Sequence, residues 1–472
     1  MTSTVISILA VIGIGVTAYC VWRAIISART PQGAVAWTVF LVSSPWFAVP
    51  AFLVLGRRKL RDYRAEWRRS REIVRGFGPD GASRLPQTGK RAALTALERI
   101  GGLPFAPGNQ VQLLVNGDAT FDAICAAIDD ARTTVCVQFY TIRDDTIGRR
   151  LSEHLVRAAK RGVKVRTMYD GVGSQKLSNR WVRALEEAGV VVLNPDQARG
   201  PTSRIEINFR NHRKTVIIDG VIAFIGGHNV GDEYLGRDPK VGPWRDTHLE
   251  VRGPVALQAQ MVFAEDWHWA SGEALGDELD WKPPGHAVPG TGQIAALVPT
   301  GPGDEMDSGT LMFITAISAA SERIWIASPY FVPDSDILSA LIAAALAGKD
   351  VRILLPEAID HYLPWLAAHA YFDQVRAAGV RIMRYKRGFM HQKVILIDDD
   401  LAAVGTANLD NRSFRLNFES MVFVADTGFA GEVEEMLRAD FEQSQEHEIR
   451  LQDCGYRIRY GAPVARLWAP VL

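Results

Sequence analysis

Two long runs without charged side chains dominate the hydrophobic pattern at the start of this chain. Residues 1–22 carry no charge, and after a short polar stretch a second uncharged run of 24 residues covers positions 33–56. A helix of about 20 residues crosses a hydrocarbon layer of about 30 Å, because each residue adds about 1.5 Å. We therefore predict two transmembrane helices, at about residues 4–22 and 33–56, that form a membrane anchor over residues 1–56.

A cleaved signal peptide and buried core helices are the two alternatives for these runs. The first residues, Met-Thr-Ser-Thr, include no basic residue of the kind that precedes the apolar segment of a signal peptide, so the first alternative is disfavoured. Pro45 and Pro50 are expected to kink the second helix, which membrane helices tolerate when neighbouring groups bind the freed carbonyls.

From about residue 101 onward, strand-like apolar runs alternate with helical stretches, and the same order occurs twice. This alternation predicts an α/β fold built as two pseudo-twofold copies, each with a mixed sheet flanked by helices. A segment rich in proline and glycine at 281–303 marks the boundary between them. The predicted regions are a basic linker at 57–100, a first copy at 101–285 and a second copy at 286–472. The predicted elements are strands 135–140, 163–169, 324–327 and 351–355 and helices 147–160, 181–188, 337–347 and 372–378.

The charge of the chain is balanced, but its distribution is uneven. With 53 Lys and Arg against 53 Asp and Glu, the net charge does not indicate a nucleic acid partner. Residues 57–75, however, hold nine basic and three acidic side chains. Because basic residues concentrate on the cytoplasmic side of membrane proteins, this segment places the following domains in the cytoplasm; it either acts as that topology signal alone or also binds anionic headgroups. Four scattered cysteines fit a reducing compartment rather than a disulfide framework.

A short motif that joins histidine, lysine and aspartate occurs twice. The stretch NHRKTVIIDG at 211–220 and the stretch MHQKVILIDD at 390–399 hold it in the same register, 179 residues apart. The residues repeated at this separation are His212 and His391, Lys214 and Lys393, Asp219 and Asp398, Gly226 and Gly405, and Asn229 and Asn408. A hairpin turn, a strand exit or a packed histidine explains single members of this set, but none of them explains the doubling.

Each motif is expected to gather its polar side chains on one patch. Residues two apart in a strand share a face, so His212 and Lys214 point the same way, as do their counterparts. If the chain turns near residue 220 and returns, Asn229 arrives opposite His212. A turn at residues 399–400 brings the second asparagine opposite the second histidine in the same way.

Such a patch suits phosphate chemistry better than metal binding. A lysine beside a histidine repels a divalent cation, and neither copy has a cysteine or acidic ligand at matching short spacing. Lysine and asparagine instead supply charge and hydrogen bonds to phosphate oxygens. Two histidines allow one neutral ring to attack phosphorus while the other, protonated, donates to the departing alkoxide, since an ordinary pKa near about 6.5 makes both forms accessible. The two patches are therefore predicted to form one site.

The repeated pattern resembles that of the phospholipase D superfamily. It reads HxK, then Asp after four residues, then Gly-Gly or Gly-Thr after six more. The resemblance implies a phosphohistidine intermediate and no metal cofactor, with His212 as the nucleophile and His391 as the general acid. It also implies that Glu419 and Asp246 orient the histidines, although Asp246 stands 34 residues after His212 and Glu419 stands 28 after His391. The two motif aspartates are expected to hold the hairpins.

Within that superfamily the chain resembles the bacterial cardiolipin synthases over nearly its whole length. The resemblance rests on the two predicted spans and on the stretches GGHNVGDEYLG, WRDTHL and NLDNRSFRLNFE. It implies a membrane-bound phosphatidyltransferase that condenses two phosphatidylglycerol molecules into cardiolipin and glycerol. The implied partners are phosphatidylglycerol and other anionic membrane lipids, without nucleic acid, and a homo-oligomer is compatible with this function.

The implied location is the bacterial inner, or cytoplasmic, membrane, with a multi-pass anchor and the catalytic domains on the cytoplasmic side. A phospholipase D-type hydrolase would share every catalytic residue and is the alternative; a superfamily nuclease fits the balanced charge and the apolar spans less well. His228 departs from the apolar residue that relatives often carry, and we expect it to fill space rather than alter headgroup preference. The aromatic stretch 361–366 fits an interfacial segment and a core-facing helix start equally well.

Overall fold

A computed structural model of the protein describes residues 2–27, 31–55, 58–76, 90–195, 209–239, 242–281 and 292–472. The chain divides into two compact units, Met1–Arg69 and Ser70–Leu472. The first unit contains the predicted anchor, and the second contains both copies of the repeated motif.

Three apolar helices form most of the first unit, and a basic helix follows them. They are α1 (Thr2–Ser27), α2 (Pro31–Ser43), α3 (Pro45–Leu55) and the basic α4 (Arg58–Arg75). Cys20, Leu41 and Ala48 are buried where the apolar helices pack together. Among the described residues, one helical segment, Ser7–Ile26, is long and apolar enough to cross a membrane.

The second predicted span, residues 33–56, is divided into two shorter helices. α2 ends at Ser43 and α3 begins at Pro45. Proline lacks a backbone N–H and disfavours helical geometry in the residue before it, so Pro45 starts a new helix rather than kinking a continuous one. Ser44 joins the two helices, and its carbonyl accepts from the backbone N–H of Ala48 at 2.9 Å. A continuous second membrane helix is therefore not confirmed.

The first half of the second unit alternates strands and helices as predicted. Its elements are α5 (Arg91–Gly101), β1 (Ala106–Val115), α6 (Gly117–Asp130), β2 (Thr134–Phe139), α7 (Thr146–Lys160), β3 (Lys164–Tyr169), α8 (Asn179–Glu187), β4 (Val191–Leu193), β5 (Arg210–Asn211), β6 (Thr215–Ile218), β7 (Ile222–Gly226), β8 (Trp244–Arg245), β9 (Thr247–Arg252) and α9 (Pro254–Ser271). A short 3-10 turn lies at Asp232–Leu235.

The second half repeats this order. Its elements are β10 (Gln293–Thr300), α10 (Ser308–Ala319), β11 (Arg323–Ala327), β12 (Phe331–Val332), α11 (Ser335–Leu346), β13 (Asp350–Pro356), α12 (Tyr362–Ala377), β14 (Arg381–Tyr385), β15 (Phe389–Met390), β16 (Val394–Ile397), β17 (Leu401–Gly405), β18 (Leu409–Asp410), α13 (Asn411–Arg415), β19 (Asn417–Ala425), α14 (Thr427–Glu442), β20 (Ser444–Glu446) and α15 (Tyr456–Arg466). The predicted elements of both halves match these bounds within two residues, except that the helix predicted at 372–378 already begins at Tyr362.

Sixteen of the described strands form one continuous sheet whose two halves correspond, while β12 pairs with β18 and β15 pairs with β8 outside it. Read outward from its centre, one half runs β1-β9-β7-β6-β2-β3-β4 and the other runs β10-β19-β17-β16-β11-β13-β14, with β20 at the far edge and β5 beside β19. β1 and β10 join the halves as antiparallel neighbours, with Ala106 opposite Ala295. The sheet is mixed, because β2, β3 and β4 run parallel whereas β6, β7 and β9 alternate in direction. The duplicated α/β fold is thereby confirmed.

Helices cover both faces of this sheet. In β2, Val135, Val137 and Phe139 pack with residues of α6, α7 and α8, whereas Cys136 faces the opposite side with residues of α9. The second half has α10, α11 and α12 on one face and α14 on the other. Alternate residues of the central strands therefore face opposite helical layers, and this alternation decides where the residues of each HxK motif point.

Candidate active site

The two histidine–lysine pairs lie just before the central strands rather than inside them. β6 and β16 begin one residue after the lysines, so both pairs occupy short extended connections. The backbone N–H of His212 donates to the carbonyl of Phe418 at 3.0 Å, and that of His391 donates to the carbonyl of Arg245 at 2.8 Å. Each motif is thus hydrogen bonded to the half of the unit that does not contain it.

A carboxylate from the opposite half holds each imidazole. Nδ1 of His212 lies 2.9 Å from both carboxylate oxygens of Glu419, and Nδ1 of His391 lies 2.7 Å from Oδ2 of Asp246. Counted along the sequence, each acid follows the histidine of its own copy, whereas the structure pairs them crosswise. With the Nδ1 proton donated to the carboxylate, Nε2 of each ring keeps its lone pair for chemistry.

The lysines fold back over the histidines. Nζ of Lys214 donates to the carbonyl of His212 at 2.5 Å, and Nζ of Lys393 donates to the carbonyl of His391 and lies 2.9 Å from its Nδ1. Both lysines are fully buried. Because Nδ1 of His391 already faces the Asp246 carboxylate, we assign the ring proton to that contact and treat the lysine as a neighbouring charge.

Burial dominates the ionisation of these groups. It lowers the pKa of His212 to about 4, although the Glu419 carboxylate opposes the shift, and it lowers the pKa of His391 to about 3, where Lys393 adds to the effect. Burial also lowers the lysine pKa values, to about 7 for Lys214 and about 8 for Lys393. The charge of each lysine lowers the pKa of the histidine in the other half as well as that of the histidine in its own motif. The imidazoles are therefore neutral near pH 7, and a bound phosphate would raise the pKa of both.

Hydrogen bonds from several sides hold the two carboxylates in place. Thr406 Oγ1 donates to Glu419 at 2.6 Å and Asn417 Nδ2 at 3.1 Å, while the backbone N–H of Thr247 donates to Asp246 at 2.8 Å. Burial alone would raise the pKa of both carboxyl groups, but the neighbouring cations and these hydrogen bonds lower it below the ordinary range. Thr406 belongs to the repeated pattern and Asn417 to the stretch NLDNRSFRLNFE, but the sequence did not predict that they hold Glu419.

The motif glycines leave room for these close contacts. A Cβ at Gly227 would lie 2.0 Å from Oδ1 of Asp246, and a Cβ at Gly405 would lie 2.1 Å from the carbonyl of Ser420. Side chains do not approach other atoms so closely, so the chain can pass the Asp246 carboxylate at Gly227 and the Ser420 carbonyl at Gly405 only where the side chain is absent.

The residue between histidine and lysine anchors each motif to a helix on the other face of the sheet. Arg213 forms a buried ion pair with Asp266 of α9, and Gln392 donates to Asp440 of α14 at 2.8 Å. Arg245 binds the same Asp440 through two hydrogen bonds of 2.8 Å. Adjacent residues of an extended chain point to opposite faces, which explains why these side chains leave the site. Sequence reasoning gave them no role; their shared position inside HxK is the signal that would have found them.

The motif aspartates bind backbone groups rather than the imidazoles. Asp219 accepts from the backbone N–H groups of residues 132–134, and Asp398 from those of residues 321–323, all at 2.8 to 2.9 Å. Both have a left-handed backbone, with φ of 52° and 50°, at the turn after the strand. Lys90 adds an ion pair to Asp398 at 2.9 Å. They tie each hairpin to the start of β2 or β11, which agrees with the structural role expected for them.

The asparagines bind close to the motifs but in a different register from that predicted. In both copies the hairpin register differs by one residue from the predicted register. Thr215, for example, pairs with Ile225 rather than with Gly226. Asn229 Oδ1 accepts from the backbone N–H of Thr141 at 3.1 Å, and Asn408 Nδ2 donates to the carboxylate two residues later at 3.3 Å. Oδ1 of Asn408 has no hydrogen-bond partner among the described residues, so it can accept a hydrogen bond from a ligand.

Aromatic rings line the histidines. The ring of Tyr140 lies 5.1 Å from that of His212 and under the Nζ of Lys214 at 5.5 Å, while Trp244 lies 5.1 Å from the ring of His391. These rings limit the access of water to the imidazoles.

His228 is a core residue. It is fully buried, its ring lies 6.4 Å from Phe121 and 5.7 Å from His248, and neither of its ring nitrogens has a hydrogen-bond partner within the described part of the chain. Burial lowers its pKa to about 4. A neutral, packed ring agrees with the space-filling role expected for it.

Two HxK segments from two halves, with a carboxylate from the opposite half behind each histidine, define a phosphodiester-processing site of the phospholipase D type. Comparison with known proteins identifies the family within that class. The family described as "Cardiolipin synthase, PLD-like domain" matches residues 124–267 and 313–442, more than half of the chain. The chain belongs to this family, as the sequence resemblance predicted.

Close relatives extend over the full length. The chain is 44% identical to "Cardiolipin synthase A" of Pseudomonas putida (strain W619), with 95% of each sequence covered. It is 43% identical to "Cardiolipin synthase A" of Pseudomonas aeruginosa (strain LESB58), covering 100% of this chain and 97% of that protein. Among solved structures, phosphatidylserine synthase from Haemophilus influenzae Rd KW20 is similar with a TM-score of 0.62 at 14% identity, covering 81% of this chain and 100% of that one. At that identity the likeness establishes the fold alone.

Proposed function

We propose that the chain is a membrane-bound phosphatidyltransferase that condenses two phosphatidylglycerol molecules into cardiolipin and glycerol. The observation that carries the proposal is the crosswise pairing, in which Glu419 and Asp246 each hold the histidine of the other half. That arrangement gives two oriented imidazoles beside two buried ammonium groups. The name shared by relatives over nearly the whole chain supports the choice of lipid.

The first step transfers a phosphatidyl group to the enzyme. Nε2 of His212 attacks the phosphorus of phosphatidylglycerol, the bond from phosphorus to the glycerol oxygen breaks, and His391 donates its Nε2 proton to the departing alkoxide. Burial lowers the pKa of His391 to about 3, so this proton is available only once the phosphate charge has raised that pKa again. The substrate thereby creates the acid that its own cleavage needs.

The second step releases cardiolipin. Neutral His391 removes a proton from the free glycerol hydroxyl of a second phosphatidylglycerol, the resulting oxygen attacks phosphorus, and the bond to Nε2 of His212 breaks. One phosphodiester replaces another, so no nucleotide is consumed. The buried position of both rings keeps competing water low.

The remaining motif residues have distinct parts in this proposal. Lys214 and Lys393 stabilise the charge that accumulates on the phosphate oxygens in the transition state. Asn408, whose Oδ1 lacks a partner among the described residues, accepts a hydrogen bond from a glycerol hydroxyl. Asn229 positions the chain through its bond to Thr141.

The alternative is hydrolysis by the same residues, and the products decide between them. Full-length enzyme in phosphatidylglycerol vesicles should yield cardiolipin and glycerol in equal amounts. Phosphatidic acid as the main product would instead identify a hydrolase, and cleavage of DNA without action on lipid would identify a nuclease. Mapping the trapped intermediate tests the two roles, because an adduct on His391 would reverse them.

We further propose the membrane arrangement and domain limits. The anchor covers residues 1–56 with two spans, the linker 57–100, and the catalytic copies 101–285 and 286–472 lie on the cytoplasmic face of the inner membrane; a homo-oligomer is compatible with this layout. The apolar segment Ser7–Ile26 and the nine basic residues at 57–75 support it. Labelling of single introduced cysteines in intact and opened cells tests the orientation.

A further inference from the structure

One region of the second unit leaves a continuous set of apolar side chains exposed. α12 and α15 pack together and enclose a groove of about 490 Å³. We name the exposed side chains beside this groove the aromatic rim. The aromatic rim consists of Tyr362, Leu363, Tyr456, Tyr460, Val464, Leu467 and Trp468, which are between 39% and 80% exposed.

The rim is not the unused side of a core helix. α15 already buries Ala462 and Ala465 against the core, and Arg466 lies over the ring of Tyr371 at 4.7 Å. Tyr456, Tyr460 and Val464 repeat every four residues on a second, exposed stripe. A helix with one buried and one exposed apolar stripe has a second contact surface. Soluble proteins rarely leave such an apolar surface exposed to water without a partner.

The charge of α15 and of the residues that follow it favours one kind of partner. Residues 456–472 contain three arginines, Arg457, Arg459 and Arg466, and no acidic residue. Tyrosine and tryptophan combine an apolar ring with a polar tip and favour the boundary between hydrocarbon and headgroups. Apolar rings interleaved with arginine match an anionic lipid surface, where both parts of the pattern are satisfied.

Two segments that flank the rim in the sequence contact elements near the candidate active site. Asp360, two residues before Tyr362, accepts a hydrogen bond from the hydroxyl of Tyr330 at 2.5 Å. Its negative charge also raises the pKa of Lys393 in the second motif. At the other end, the carbonyl of Leu472 accepts from the backbone N–H of Arg412 at 2.7 Å, in the short helix that follows the motif asparagine. These contacts connect the segments that flank the rim to elements next to the catalytic motifs.

We propose that the aromatic rim docks on an anionic lipid bilayer and delivers lipid to the catalytic residues. The proposal rests on the phosphatidyltransferase function above and adds the surface through which the substrate enters. A second copy of the chain is the competing occupant. It would cover the apolar stripe equally well but would leave the arginines of α15 facing those of its partner.

Fluorescence quenching in nanodiscs that each carry one full-length chain tests the proposal. Val464→Cys, in a Cys454→Ser background, carries an environment-sensitive label, and Leu346→Cys at the exposed end of α11 is the matched control. Lipids with a quencher at headgroup depth should quench the label at 464 at least about threefold more than the label at 346. Equal quenching at both positions, or none at 464, would overturn the proposal.

This readout does not depend on catalysis, so it separates the rim from the proposed reaction. If the protein is quenched at position 464 but does not turn over phosphatidylglycerol, the docking surface is supported and the proposed phosphatidyltransferase activity is contradicted. In active protein, Leu467→Ser with Trp468→Ser should lower the rate on vesicles, relative to the rate on water-soluble short-chain phosphatidylglycerol, by about tenfold. An unchanged ratio would contradict docking through the rim.

Discussion

At each histidine the nitrogen that does not react is held by a carboxylate from the other half, and that carboxylate is held in turn. The Glu419 carboxylate accepts hydrogen bonds from His212, Thr406 and Asn417, so its position is fixed from three sides. A ring whose Nδ1 proton is fixed in this way presents Nε2 in one orientation. The chemistry of the site therefore depends as much on the carboxylates as on the imidazoles.

Glu419→Gln tests this dependence. A glutamine amide can donate to Nδ1 and so favour the wrong tautomer, which should slow formation of the phosphatidyl-enzyme by about 10²- to 10⁴-fold. Rapid-quench measurement of the intermediate gives that rate. Glu434→Gln, a change at a surface partner of Arg323, is the control and should stay within about twofold. A rate for Glu419→Gln within tenfold of the wild type would show that the carboxylate does not set the tautomer.

Buried neutral histidines also predict how stability depends on pH. Burial lowers the pKa of His228 from 6.5 in the unfolded chain to about 4, so the unfolded state binds the proton first. The contribution of the neutral ring to stability is therefore complete above pH 6.5 and is lost as the pH falls toward 4. At pH 5 this loss amounts to about 2 kcal/mol for one ring.

Thermal unfolding in detergent at pH 7.5 and pH 5 measures this effect. The wild-type midpoint should fall further on acidification than that of His228→Leu, because the variant lacks the group that takes up the proton. If the two proteins lose the same amount, the ring is not kept neutral by burial.

At the scale of elements, local patterns predict most of the second unit and fail where distant segments decide. Periodicity placed the predicted strands and helices within two residues, except for the start of α12, because alternation and helical spacing reflect which face each residue buries. Pro45 also signals the break between α2 and α3, but a kink was predicted there instead of a new helix. The crosswise histidine–carboxylate pairs were not predictable, since spacing along the chain favours the partner in the same copy. They arise from β5 pairing with β19 and β15 with β8.

The aspartate at each hairpin turn is expected to stabilise the fold without touching the substrate. Asp398→Asn loses the charge that three backbone N–H groups and Lys90 share, and should lower the free energy of unfolding by about 1 to 3 kcal/mol. Asp399→Asn changes the neighbouring, exposed carboxylate and should cost less than about 0.5 kcal/mol. Denaturant titration compares them, and equal losses would contradict a special role for the turn.

The close approach of Gly227, the residue after β7, to Asp246 predicts that Gly227→Ala displaces the carboxylate. The added methyl would occupy the position of Oδ1, so His391 should lose its orientation and the rate of cardiolipin formation should fall by about 10² or more. Gly431→Ala is the matched control, because a Cβ there meets no atom within 4 Å and lies in α14. Full activity of Gly227→Ala would show that the site tolerates a larger separation.

At the scale of the whole second unit, duplication places one histidine in each half and makes neither half complete. The sheet runs continuously through β1 and β10, so the halves are held as one body around the site. Each half supplies the lysine that acts on the other's histidine as well as the carboxylate that binds it. This arrangement supports the proposal that the two equivalent halves form one reaction centre, in which the histidines have different roles, rather than two centres.

The rate of cardiolipin formation by His212→Ala and His391→Ala, measured separately in phosphatidylglycerol vesicles, tests this claim most directly. Either variant alone should lose at least about 10³-fold, because nucleophile and acid act on the same phosphorus atom. Glycerol and cardiolipin should appear together in the wild type and disappear together in both variants. About half of the wild-type rate in either variant would mean two independent sites and would contradict the account.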